Sequence, residues 1–208
     1  MLKYNCLLIC LSILISCKND EKKFLTLNQT AMQTELATFA GGCFWCTEAI
    51  YEEVKGVLKV TSGYTGGTFK NPTYTEISTG RTGHAEAIQI AFDPAVVSYK
   101  DLLYIFFLTH DPTTLNRQGA DVGTQYRSAI FYHTVEQKEL AETMIKRINK
   151  EKIYPKPIVT EITQASIFYV AEEYHQDYYF KDKFQPYCQV VITPKIEKFR
   201  KLFKDKLK

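Results

Sequence analysis

The chain has 208 residues, 45% of them hydrophobic and 24% charged. That composition fits one globular domain with a tail and excludes the disordered and collagen-like classes. Lysine and arginine number 26 against 23 acidic residues, an excess too small to mark a nucleic-acid partner.

In chain order, the first segment reads MLKYNCLLICLSILISCKND, with a positive charge at Lys3 and an apolar run from Cys6 to Ile15 that is too short to span a bilayer. Residues 1–16 are therefore expected to be a secretion signal. Their end, Leu14-Ile15-Ser16-Cys17, resembles the lipobox of bacterial lipoproteins. That makes Cys17 the expected site of lipidation and the cell envelope the expected location, on the face toward the periplasm or the exterior. The competing reading is a signal that is cleaved elsewhere or kept. Residues 17–35 are polar with no apolar period and read as a tether between membrane and domain, so the folded part is expected over 36–208.

Leu36 to Ala40 alternates like a strand and runs into Gly41-Gly42, a break before a helix expected from about Cys43 to Val54. Val57 to Tyr64 reads as a second strand, 65–83 as a long loop and Ala85 to Phe92 as a third strand. Ser98 is a plausible cap for a helix that ends at His110-Asp111-Pro112. After a polar loop over 111–125 come a strand from Arg127 to Tyr132, a capping-box-like Thr134-Val135-Glu136-Gln137 opening a helix to about Lys150, and a strand from Ile158 to Thr163. The basic, amphipathic tail places Ile196, Phe199, Leu202 and Phe203 on one face, suited to packing on the domain or, less favourably, to a membrane surface. This order predicts an α+β fold, a two-layer sandwich with a mixed sheet around a βαβ, ferredoxin-like core.

The chemistry concentrates in GGCFWCTEAI. Of six cysteines, Cys6 and Cys10 would leave with the signal and Cys17 would carry lipid, so Cys43, Cys46 and Cys188 remain for thiol chemistry. Unpaired amides at a helix start favour negative charge, which predicts a lowered pKa and nucleophilic character for Cys43. Cys46 is either its disulfide partner or a small buried residue. Zinc needs two further ligands, and His84, His110, His133 and His175 form no second pair with Cys188. A thioredoxin-like CxxC dithiol-disulfide oxidoreductase is the live alternative, although here the only tryptophan lies between the cysteines. Glu86, where a glycine-rich loop gives way to a strand, is a candidate proton donor if burial raises its pKa, and Tyr74 and Tyr126 are hydroxyl donors at loop ends.

Five blocks in order, GGCFWCTEAIYEEVKGV, GYTGG, NPTYTEISTGRTGHAEAIQIAFDP, HDPTTLNRQGADVGTQYRSAIFY and AEEYHQDYY, resemble the A-type peptide-methionine sulfoxide reductases from about Leu36 to Lys195. The resemblance implies reduction of methionine S-sulfoxide, free or in proteins, as a repair of oxidative damage. It also implies Cys43 as nucleophile, Phe44 and Trp45 as an apolar wall for the substrate methyl, Glu86, Tyr74 and Tyr126 on the sulfoxide oxygen, and Asp121 in the pocket. Cys46 stands where the family's motif often has glycine, and Cys188 matches its tail cysteine. Either thiol could resolve the sulfenic acid, with Cys188 favoured. His175 matches a family block and is expected to act, at most, from behind the site. Such chemistry calls for a thioredoxin-like dithiol reductant and no metal or organic cofactor, and the chain is expected to work as a monomer.

Overall fold

The computed structural model describes residues 34–208, so the expected signal, the expected lipidation site at Cys17 and nearly all of the expected tether lie outside the described residues. Strand β1 (Glu35–Gly41) leads into helix α1 (Phe44–Tyr51), strand β2 (Val57–Thr65), a short helix α2 (Tyr74–Ser78) and strand β3 (Ala85–Phe92). Helix α3 (Tyr99–Thr109), a hairpin of β4 (Arg117–Gln118) and β5 (Asp121–Val122), strand β6 (Ser128–Tyr132) and helix α4 (Val135–Lys150) follow. Strands β7 (Glu161–Gln164) and β8 (Tyr169–Val170), helix α5 (Tyr178–Lys181), a π-helical turn over Cys188–Ile192 and helix α6 (Thr193–Leu202) complete the main elements.

The main sheet runs β7-β6-β1-β3-β2-β8. β3 lies antiparallel between β1 and β2, and β1 is antiparallel to β6. β1 and β2 are therefore parallel, with α1 as their crossover and β3 inserted between them, which is the ferredoxin-like core expected. The pairing of β6 with β7 is parallel, so the sheet is mixed.

Strand periodicity assigns the two faces. Ala37, Phe39, Ile88, Ile90, Phe92 and Ile130 belong to the large core that includes the apolar residues of α1, α3, α4 and α6. Ala40, Ala85, Ala87, Ala129 and Phe131 form a smaller cluster covered by Ala165 and Phe168. Glu86 shares the parity of Ile88 and so faces the helical layer. That places a carboxylate where its strand otherwise supplies core.

Several elements differ from expectation for local reasons. The loop over 65–83 contains α2, because Thr73 and Glu76 close a full capping box. The last expected strand begins at Glu161 instead of Ile158. The Ile158 amide donates to Asn149 Oδ1 and the Val159 amide to the Pro112 carbonyl, so neither joins the ladder. Thr134 caps α4 by accepting from the Gln137 amide, but the Gln137 side chain turns to His133 N and Leu36 O and leaves the box half made. In the tail, Ile196, Phe199 and Phe203 are buried on the domain while Leu202 is exposed. Among the described residues, no helix is long and apolar enough to cross a membrane.

Candidate active site

The turn from β1 to α1 fixes the first reactive atom. Gly42 has φ +92°, and a Cβ there would come within 2.5 Å of the Gln118 side chain, so only glycine lets the chain reverse here. Cys43 follows as the residue capping α1, with φ −53° and ψ 121°. Its side chain makes no capping hydrogen bond to the helix amides.

The first of those amides serves Glu86 instead. The Phe44 N–H donates to Glu86 Oε2 at 3.1 Å, with both residues buried. Burial raises the Glu86 pKa to about 8, against the relief given by the Phe44 amide and with help from Asp121 and Cys46. At neutral pH Glu86 is therefore mostly a protonated acid, as its proposed role in proton donation requires.

The expected depression of the Cys43 pKa is not found. Burial pushes the Cys43 thiol well up, and its hydrogen bond with Cys46 and the charges of Cys46 and Glu86 push the same way. No helix amide serves the Cys43 sulfur, and Glu86 already takes the first of them, from Phe44. Cys46 is the thiol that is lowered, to about 7, by its hydrogen bond with Cys43 and by Lys195, against burial. The two sulfurs form one titrating pair in which Cys46 carries the readier proton.

Around Cys43 lies a pocket of about 130 Å³ lined by Phe44, Trp45, Tyr74, Glu86, Asp121, Tyr126 and Tyr187. Seven residues singled out in the sequence, Cys43 included, thus meet in one place. Burial raises the pKa of both Tyr74 and Tyr126, with the nearby Glu86 as the next cause, so both phenols keep their protons for donation. Cys46 lies one turn behind the pocket and is buried. Cys188 is fully buried on the π-helical turn, which packs against α1, and burial, Asp182 and Cys46 raise its pKa. Two larger depressions, of about 450 and 420 Å³, lie elsewhere, one walled by Glu53 and Arg200 and one by Tyr99 and His133, and neither is lined by a thiol. No group of three or more His, Cys, Asp or Glu among the described residues is placed to hold a metal ion.

Three residues were not anticipated. Tyr187 closes the pocket, donates to Asp121 Oδ2 at 3.0 Å and has its oxygen within hydrogen-bond reach of the Cys43 sulfur. Tyr178 stacks on Trp45 with ring centroids 3.7 Å apart and planes 7° apart. Glu172 accepts from the Tyr74 amide at 2.9 Å and from the Tyr64 hydroxyl at 2.8 Å, and so ties α2 to β2. All three sit in or beside the tyrosine-rich stretch from 172 to 188. Its density of aromatic residues was the available signal, but spacing alone did not tell which rings turn inward.

The sequence pattern of the peptide methionine sulfoxide reductase family matches residues 35–207. The chain belongs to that family. It is 58% identical over 174 residues to the peptide methionine sulfoxide reductase MsrA of Saccharolobus solfataricus, covering 84% of this chain and 97% of that one. Among solved structures it is similar to reduced Mxr1 from Saccharomyces cerevisiae, with a TM-score of 0.69 and 32% identity over 76% of this chain and 91% of that one. It is also similar to Mxr1 in complex with Trx2, with a TM-score of 0.50 and 25% identity over 71% and 86% of the two chains. In this family member, thiol, acid and phenols converge in the pocket around Cys43.

The raised pKa of Glu86 has a consequence for stability. The folded state keeps the proton to about pH 8, whereas the unfolded chain releases it near the ordinary 4.5. The contribution is fully present below 4.5 and is lost as pH rises through about 8. Glu86→Gln should therefore gain thermal stability relative to the parent as pH is raised across that window, in calorimetric scans at fixed ionic strength. A gap in Tm that does not change with pH would show that Glu86 titrates normally.

Proposed function

We propose that this pocket reduces methionine S-sulfoxide to methionine, on free methionine or in proteins, and repairs oxidised chains. The observation that carries this reading is a protonated Glu86 flanked by Tyr74 and Tyr126 beside the Cys43 thiol, in a pocket walled by Phe44 and Trp45. The sulfoxide oxygen accepts from the acid and the phenols, which makes its sulfur electrophilic. The substrate methyl lies against Phe44 and Trp45. Cys43 attacks that sulfur as its thiolate with substrate in place; the protonated oxygen then transfers to the Cys43 sulfur as both the new S–S bond and the original S–O bond break, so the dialkyl sulfide leaves and Cys43 is left as a sulfenic acid. A second thiol then attacks the Cys43 sulfur, water departs, and a disulfide forms. An external dithiol reduces it by two exchange steps.

Cys46 is in hydrogen-bond contact with Cys43 and is the lower-pKa member of the pair, which favours it as the first resolving thiol. Cys188, within the influence of Cys46, is suited to a second exchange that frees Cys43 and carries the disulfide toward the reductant. That reductant is thioredoxin-like, in keeping with the complex of Mxr1 with Trx2. The dithiol-oxidoreductase alternative gives no account of the buried acid and phenols and does not accord with the family. The sequence around Cys17 supports a lipid anchor in the cell envelope, from which the domain would repair exported proteins.

With a dithiol and separated epimers of a methionine sulfoxide peptide, the purified domain should turn over the S epimer, and Cys43→Ser should abolish this. Turnover of the R epimer alone would sink the proposal. Peptide mapping after one equivalent of sulfoxide should find Cys43 joined to Cys46 first and Cys46 joined to Cys188 later. A first bond from Cys43 to Cys188, with Cys46→Ser cycling normally, would reverse the order. In cells, mass spectrometry should find lipid on Cys17, and Cys17→Ala should release the protein from membranes; an unmodified Cys17 would refute the anchor.

A further inference from the structure

Tyr74, a phenol of the pocket, is the first residue of α2, a helix of only five residues. A helix this short does not hold itself, because nucleation costs more than one turn of hydrogen bonds returns. Its position is set by contacts from outside. At its far end Thr124 Oγ1 donates to Gly80 O at 2.8 Å and Gln125 Nε2 to Ser78 O at 3.4 Å, and in its middle Ile77 is fully buried. Those contacts secure the last turn and leave the first, which carries the phenol, to be fixed by something else.

Glu172, just after β8, reaches that first turn. Its Oε1 accepts from the Tyr74 amide at 2.9 Å and its Oε2 from the Tyr64 hydroxyl at 2.8 Å. The capping box of α2 employs Thr73 and Glu76, so the Tyr74 amide, an orphan of the helix start, is left to this carboxylate. Tyr64 is the fixed end of the bridge, since it lies on β2, is buried and packs against Phe44 at a centroid distance of 5.8 Å. Burial, and next the carboxylate itself, raises the Tyr64 pKa, so the phenol keeps the proton that it donates. Against the effect of burial, the Tyr74 amide, its own amide and the Tyr64 hydroxyl hold the Glu172 carboxyl below its ordinary value, so both bonds are charge-assisted at neutral pH. The backbone beneath it is tied to β2 as well, because the Ala171 amide donates to Ser62 O at 3.0 Å and Gln176 accepts from Ser62 N at 3.0 Å. His175 lies behind the site as expected, with its ring 4.3 Å from that of Tyr74.

We infer that Glu172 is a positioning residue: its carboxylate bridges the Tyr64 hydroxyl on β2 and the Tyr74 amide on α2, and so sets where the Tyr74 phenol stands in the pocket. The inference rests on the proposed reduction and deepens it, with a side chain that does not itself line the pocket. A phenol that donates to the sulfoxide oxygen binds more strongly as charge grows there. Its misplacement should therefore slow the chemical step more than it weakens binding.

The test compares Glu172→Ala, which removes both bonds, with Glu172→Gln, whose Oε1 can still accept from Tyr74 and whose amide can donate to the Tyr64 oxygen. With the S-sulfoxide peptide, the single-turnover rate of the Ala variant should fall roughly 3–30-fold, less than the ~10²–10³ that removal of a whole donor can cost, while KM stays within about threefold. The Gln variant should recover to within about threefold of the parent. Because the effect acts through the phenol, Glu172→Ala should cost no more than about twofold further beside Tyr74→Phe, but keep its full factor beside Tyr126→Phe. Without substrate, hydrogen exchange at the Tyr74 amide should quicken roughly tenfold or more in the Ala variant, while that at Ile77, bonded within α2 to Thr73 O, changes less than about threefold. A parental rate in the Ala variant, a Gln variant as slow as Ala, or an Ala effect that persists in full beside Tyr74→Phe would overturn the assignment. If Ala prevents folding, Tyr64→Phe frees one carboxylate oxygen and should give a smaller loss with the same dependence on Tyr74; a loss independent of Tyr74 would again overturn it. A parent that does not reduce the S-sulfoxide would refute the proposed reduction, and the exchange readout, taken without substrate, would then decide the bridge by itself.

Discussion

The hydrogen bond from the Phe44 amide to Glu86 joins the start of α1 to the edge of β3, and much of the site depends on it. It gives a buried carboxyl group one partner, enough to keep it in place but not enough to ionise it fully at neutral pH. It also directs the first helix amide to the acid and leaves the neighbouring thiol without that support. A helix start after a glycine turn would ordinarily be read as a device for making a thiolate. Here it positions an acid, and burial leaves the thiol neutral.

This arrangement accounts for an apparent conflict between thiol and acid. An ionised Glu86 beside an ionised Cys43 would place two negative charges in one small pocket. Burial resolves it by raising both groups. Cys46, one turn along and near Lys195, is the exception among the three described thiols and the one prepared to lose its proton. Cys43 and Cys46 thus differ through their surroundings, although they lie one turn apart at the same helix start.

Much of the fold was legible because its strands follow period two and its long helices carry clear caps. β3 matches its expected bounds, and Ser98 does cap α3, through a complete box with Asp101. What escaped was held by tertiary contacts or by signals too short to stand alone. The β4–β5 hairpin pairs only two residues of each strand, and β8 exists because β2 offers it an edge. The pocket residues were visible as types at suggestive positions. Their convergence was not, since Glu86 and Asp121 come together only through the sheet and its hairpin. The expected pKa of Cys43 missed because spacing reports that a thiol begins a helix without reporting where that helix's amides point.

The size of the pocket limits what it can see. At about 130 Å³ it is smaller than the roughly 300 Å³ at which pockets begin to enclose whole small ligands. It accommodates the tip of one side chain and leaves the rest of the partner outside. Clients would then be chosen by how far an oxidised methionine protrudes from its surroundings, with little regard to neighbouring residues. A folded protein would offer its surface lesions at once and its interior ones only while it breathes, so the reach of such repair is set by the flexibility of the protein being repaired.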